Sequence, residues 1–213
     1  MKPNFQLRAE ARENLGGNIF ANVWLMAFVV VLIYSAILGI VSNIPVAPIL
    51  ISGAFAFGLA LVFLKLARGE DRVNIEDLFK GFSEGFAQNL LLGLMISIFT
   101  TLWTLLFIIP GIVKSYAYSM AFFIRNDHPD YDWSTCIAES QKLMQGKKMK
   151  LFLLDLSFIG WYLLGFLAFG IGVVWASAYA QAARAAFYCD LVGDVAPESV
   201  ETPEMTSSSD EYI

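Results

Sequence analysis

The 213-residue chain carries little charge: Asp, Glu, Lys and Arg together make up 15% of it. Soluble domains carry about 25%, so the charges needed to coat an ordinary globular surface are not there. Histidine is nearly missing, with His128 alone. One imidazole excludes a His-rich zinc centre, and the irregular acids around it (Asp127, Asp130, Asp132) match no calcium loop. An Asp/Pro turn accounts for that stretch. Cysteine is scarce too. Cys136 and Cys189 fall in segments assigned below to the cytoplasmic side, which points to reduced thiols rather than a disulfide framework. A nucleophile elbow, a phosphate-binding glycine loop and a metalloprotease helix motif are all missing. No cofactor, no metal and no catalytic residue is expected, and enzyme is not the expected class.

What the chain has in place of charge is apolar length. Hydrophobic residues make up 57% of it and the mean hydropathy is +0.61. Apolar runs cover residues 19–41, 46–66, 90–109, 112–124, 151–169 and 171–192. A crossing takes about 20 helical residues, which five of the runs satisfy. The first is too long for the apolar stretch of a signal peptide and no small-residue cleavage site follows, so it is expected to be retained. The fourth is short and joined to the third by Pro110-Gly111, so it either crosses or turns back.

Positive charge separates these two alternatives. Lys65, Arg68, Arg72 and Lys80 lie between runs two and three; Arg125, Lys142, Lys147, Lys148 and Lys150 lie between four and five. With six crossings both groups share a side with Lys2, Arg8 and Arg12. Arg184 near the inner end of run six joins them, leaving Lys114 as the exception. If run four turned back, the second group would be stranded outside. The expectation is therefore an all-α polytopic membrane protein of six transmembrane helices in three hairpins, with both termini cytoplasmic. The outer connections are short, with Pro45, Pro48, Pro110, Gly111, Gly170 and Gly172 supplying the turns.

Amphipathic pieces precede each hairpin. In 74–86, Ile75, Leu78, Phe79, Phe82 and Phe86 share a helical face, with Asn74 as N-cap. In 134–145, Ile137, Leu143 and Met144 do the same, with Ser134 as cap and Gly146 as stop. Residues 5–15 are a weaker case. Each is read as a cytoplasmic interfacial helix leading its hairpin, a threefold arrangement. The transmembrane domain is residues 1–193. Residues 194–213 hold six acids and no base and form a disordered acidic cytoplasmic tail; without them the chain is close to neutral.

The wording around the third and fourth runs is more specific. Trp103-Thr104-Leu105-Leu106-Phe107-Ile108-Ile109-Pro110-Gly111-Ile112-Val113-Lys114, then Tyr116 and Tyr118-Ser119-Met120, resembles the central motif of a bacterial integral membrane family, domain of unknown function 975. A second block agrees: Ser140, Leu143-Met144, Gly146-Lys147, Leu151-Phe152 and Ser157-Phe158-Ile159-Gly160-Trp161. So do the start (Arg8, Ala11, Leu15-Gly16-Gly17-Asn18) and the end (Ala186-Phe187-Tyr188). One position departs: Ala178 stands before Tyr179 where the pattern has proline. The resemblance spans about residues 5–192. It implies a protein of the bacterial cytoplasmic membrane, mainly of Gram-positive bacteria, and carries over no activity and no catalytic residue.

Among single residues, Asp155 and Arg184 stand out, because ionisable groups inside apolar runs are costly and mark function. Their depths allow an intramembrane ion pair; the alternative is that each reaches the interface separately. Lys114 reads as an outer gate or as an interfacial anchor, the anchor being the plainer account. Tyr116 and Tyr118 can hydrogen-bond within a cavity or simply pack. Small residues in runs two (Ser52, Ala56, Ala60) and six (Gly172, Ala176, Ala180) place those helices at the centre of the bundle. Lys142, Lys147, Lys148 and Lys150 suit anionic lipid at the cytoplasmic face, with no need for nucleic acid. Three function classes follow: an accessory or scaffold protein engaging membrane-protein partners or its own copies, a small transporter or permease component, and an intramembrane enzyme. The first is the expectation, the second the alternative.

Overall fold

The computed structural model describes residues 2–16, 22–41, 47–70, 73–83, 85–167 and 171–193, and among them every regular element is helical. The acidic tail and the turns expected at 42–46 and 168–170 lie outside the described residues. The order is α1 Asn4–Asn14, α2 Asn22–Val41 and α3 Ala47–Ala67, then a 3₁₀ turn Ile75–Phe79 running into α4 Lys80–Ser83. Next come α5 Phe86–Leu106, α6 Ile108–Tyr118, α7 Ala121–Asp127, α8 Trp133–Leu143, α9 Lys148–Leu156, α10 Ile159–Leu167 and α11 Ile171–Val192. Two helical stretches, Phe86–Leu106 and Lys148–Phe166, are long and apolar enough to cross a membrane.

Helices α3 and α11 pack on each other and between them touch α1, α2, α5, α7, α9 and α10, so they form the centre. The small residues explain why. Adding a Cβ to Gly53 of α3 would put it 2.3 Å from the Asn89 carbonyl oxygen, and a Cβ on Gly93 of α5 would lie 2.6 Å from the Gly53 Cα. Gly165 of α10 and Gly172 of α11 meet in the same way, at 2.4–2.5 Å. Backbones that touch allow many weak dispersion contacts to add up between the helices.

The structure revises three local expectations. The break between the third and fourth runs is at Phe107, whose extended backbone (φ −155°, ψ 132°) separates α5 from α6. Pro110-Gly111 does not make the turn. Pro110 sits in the first turn of α6, where no intrahelical N–H bond is lost. Gly111 is helical and fits against Thr104, whose Oγ1 would lie 2.3 Å from an added Cβ. The second revision concerns α8: its cap is Asp132, whose Oδ1 accepts from the Thr135 amide at 3.1 Å, while Ser134 donates to Oδ2 at 2.6 Å. The carboxylate takes each bond on its own oxygen, and Ser134 is itself one of the two donors. Gly146 (φ +69°) follows the end of α8.

Third, the described part of 74–86 is a 3₁₀ turn followed by a short helix rather than one continuous helix. Its 3₁₀ turn and α4 are pressed into α3, since a Cβ on Gly58 or Gly81 would lie 2.0 Å from the Leu78 or Ala54 carbonyl oxygen. Asn74 precedes the turn without a side-chain cap bond. Leu78 is buried, while Phe79, Phe82 and Phe86 stay exposed and pack ring to ring with one another and with Phe55.

Helix α1 buries Leu7, Ala11 and Leu15 completely and lies against α11. Polar contacts seat it. The Lys2 amide donates to both Asp190 carboxylate oxygens (3.1 and 2.9 Å), the Lys2 carbonyl accepts from the Lys150 ammonium, and Tyr179 donates to the Arg8 carbonyl at 2.8 Å. The bundle exterior is apolar: Leu105 is 84% exposed, Phe166 79% and Ile109 75%. Among the described residues, large exposed apolar side chains are most numerous on α5, α6, α9 and α10.

Candidate functional site

Asp155 points from α9 into the gap between α6 and α11. Arg184 of α11 meets it through two parallel bonds, Nε to Oδ1 at 3.0 Å and Nη2 to Oδ2 at 2.8 Å. Tyr116 of α6 donates its hydroxyl to Oδ2 at 3.0 Å. Guanidinium and carboxylate match in this fork geometry, which makes the pair strong and fixes both planes. Beside them opens a cavity of about 310 Å³ lined by Ser115, Tyr116, Ser119, Leu151, Asp155 and Arg184. Ser115 and Ser119 donate back to the Ile112 and Tyr116 carbonyls, each at 2.8 Å, so their oxygens face the cavity as acceptors.

A second cluster of the same composition lies elsewhere. Arg68, just past α3, donates twice to Asp127 at the end of α7 (2.8 Å each), and Tyr188 of α11 donates to the same carboxylate at 2.7 Å. Arg68 and Asp127 are 59 residues apart, and Arg68 looked only like one of the inner bases. No local spacing pointed to this pair. A third carboxylate, Asp77, is nearly buried between Lys65 (2.9 Å) and Lys80 (2.7 Å). Burial alone would raise its pKa, but the hydrogen bonds from Lys80 and Lys65 outweigh that and hold it below the ordinary value.

The loop after α7 is organised by Arg125, which is buried and donates to the His128, Pro129 and Tyr131 carbonyls and to Asn89 Oδ1. His128 stacks on Tyr131 at 4.5 Å. With Asp127 on Arg68 and Asp132 capping α8, the acids of this stretch point different ways. Among the described residues, no group of three His, Cys, Asp or Glu side chains could hold a metal ion. Cys136, buried on α8, has its thiol pushed up to about 11 by burial.

Lys114 is part of α6. It lies in the second turn, its ammonium 5.1 Å above the Trp103 ring and 3.5 Å from Gln141 Oε1 of α8. The long aliphatic stem carries the charge towards α8. Tyr118 is buried with its ring 6.4 Å from Phe99, and Trp161 is half exposed with its edge towards Tyr179. Of the motif residues, Trp103 and Lys114 meet each other; Pro110, Gly111, Tyr118, Gly146 and Trp161 serve turns and packing and do not converge on the Asp155 cavity. Of the polar lining residues, Ser115 was not singled out in the sequence and Ser119 stood there only as part of the motif. Their i, i+4 spacing on the Tyr116 side of α6 was the available signal.

No curated protein and no solved structure matches the chain. Residues 1–114 and 105–194 match the family described as Protein of unknown function (DUF975), and the chain belongs to that family.

Proposed function

We propose that the chain is a multi-pass protein of the bacterial cytoplasmic membrane that serves as a non-enzymatic accessory or scaffold protein for membrane or cytoplasmic-side partners. In this reading α2, α3, α5, α6–α7, α9–α10 and α11 make six crossings as three hairpins, with α1, the 74–86 segment and α8 on the cytoplasmic side. The exposed apolar exterior and the two long apolar stretches support a bilayer setting.

One observation carries the accessory role. Asp77, Asp127, Asp155 and Asp190 are each gripped by donors from other elements. Carboxylates whose lone pairs are taken by cations of neighbouring helices fasten a bundle; a general base needs an open approach for substrate. Cross-linking in native membranes followed by affinity purification tests this reading, with a stoichiometric partner as the expected result. Solute transport by the purified, reconstituted chain alone would overturn it. The crossings are tested separately. A cysteine at Gln145 should react with an impermeant maleimide in inverted vesicles, and one at Ile109 in intact cells.

The cavity at Asp155 favours a second reading, a small transporter or permease component, because a polar space flanked by an ion pair is what a solute path requires. The same reconstitution separates the two.

A further inference from the structure

We propose that the cavity beside Asp155 and Arg184 holds the phosphodiester headgroup of an anionic membrane lipid bearing free hydroxyls. This rests on the membrane reading above and adds a ligand to it. Arg184 spends Nε and Nη2 on Asp155, which leaves the Nη1 edge of the guanidinium free, and the side chain is 39% exposed. That edge carries two N–H donors at the geometry phosphate oxygens take. Asp155 already neutralises the arginine, so the site suits one negative charge, as on a phosphodiester, better than a dianion.

The serines narrow the headgroup. Ser115 and Ser119 have committed their protons to backbone carbonyls and offer only acceptor oxygens. A headgroup with hydroxyls satisfies them; a quaternary ammonium has no proton to give. A cavity of about 310 Å³ sits at the small end of ligand sites, room for a headgroup and not for acyl chains. The chains have a surface of their own: Ile112 on α6 with Phe152 and Leu156 on α9, the helices that bound the cavity, are exposed. Phe152 stands edge-on to Tyr116 at 5.9 Å, so the apolar surface adjoins the polar one. Asp155 is five residues beyond Lys150, about 7 Å of helical rise, within reach of a headgroup drawn slightly below the interface.

The test uses the full chain extracted from membranes in a neutral detergent, with native mass spectrometry of retained phosphatidylglycerol against phosphatidylcholine and a parallel titration with inorganic phosphate. Wild type should favour phosphatidylglycerol by about tenfold or more. Arg184→Lys loses the planar fork and should lose the preference. Ser119→Leu fills the cavity without touching the ion pair and should lose it with the melting temperature unchanged. Equal retention of the two lipids by wild type, or an unaltered preference in Ser119→Leu, overturns the proposal. Displacement of the lipid by inorganic phosphate overturns the lipid as the source. Recovery of the chain in the aqueous fraction without detergent would instead sink the membrane reading, so the two failures are distinguishable.

Discussion

Gly53 and Gly93 meet backbone to backbone where α3 crosses α5, with the Gly53 Cα 2.6 Å from where a Gly93 Cβ would sit. A single methyl therefore cannot enter without moving a whole helix. Gly53→Ala and Gly93→Ala should each destabilise by about 1–3 kcal/mol, the usual cost of overpacking. Gly160 has nothing within 4 Å of its added Cβ. Gly160→Ala should be neutral or stabilise by less than about 1 kcal/mol through helix propensity. Thermal unfolding in detergent compares the three.

The Asp155–Arg184 pair gives a charge-swap experiment. Asp155→Asn or Arg184→Gln leaves a partner with unmet hydrogen bonds, which costs about 1–3 kcal/mol; the exposure of Arg184 to its cavity favours the lower end. Both singles should lower expression and melting temperature, and the swapped double variant should recover part of the loss. A double variant no better than the singles would mean that the two side chains act separately.

Asp132 supplies a pH dependence. The hydrogen bonds from Ser134 and Thr135 hold its carboxyl at about 2, below its ordinary 3.8. A depressed carboxyl contributes stability that is complete above its unfolded value and is lost as the pH falls through the folded one. Exchange protection of the α8 amides should thus be flat from neutral pH down to about 4 and decline from there towards 2. Asp132→Asn, which caps without titrating, should remove that decline.

Cys136 should resist thiol reagents in the folded protein. Burial both blocks approach and pushes its thiol to about 11, so at pH 8 almost no thiolate is present. A Cys189→Ser variant should take up maleimide only after unfolding. Rapid labelling in the native state would show that α8 opens.

Much of the fold was legible because its causes repeat along the chain. The apolar runs fall largely in helices, although the run 112–124 is divided between α6 and α7 and the run 151–169 between α9 and α10. The small residues of α3 and α11 account for their central position. Asp155 and Arg184 could be matched by depth because they lie on consecutive runs. What was not legible depended on one residue among near equals or on distant partners. Asp132 and Ser134 are both good caps two positions apart, and in the fold Ser134 spends its hydroxyl as a donor to Asp132 instead of capping. A proline in a first helical turn reads in sequence like one in a loop, so Phe107 was overlooked. The Arg68–Asp127 contact joins residues 59 positions apart, and the direction of the Lys114 stem follows from where α8 ends up.

The contact of Lys2 with Asp190 spans 188 residues. At typical synthesis rates of about 5–20 residues per second, roughly ten to forty seconds separate the appearance of the two. Throughout that interval Leu7, Ala11 and Leu15 have been made and α11 has not. The apolar face of α1 meanwhile lacks the helix that covers it in the finished fold. The docking of α1 on α11 therefore waits until the last of the described helices has been made.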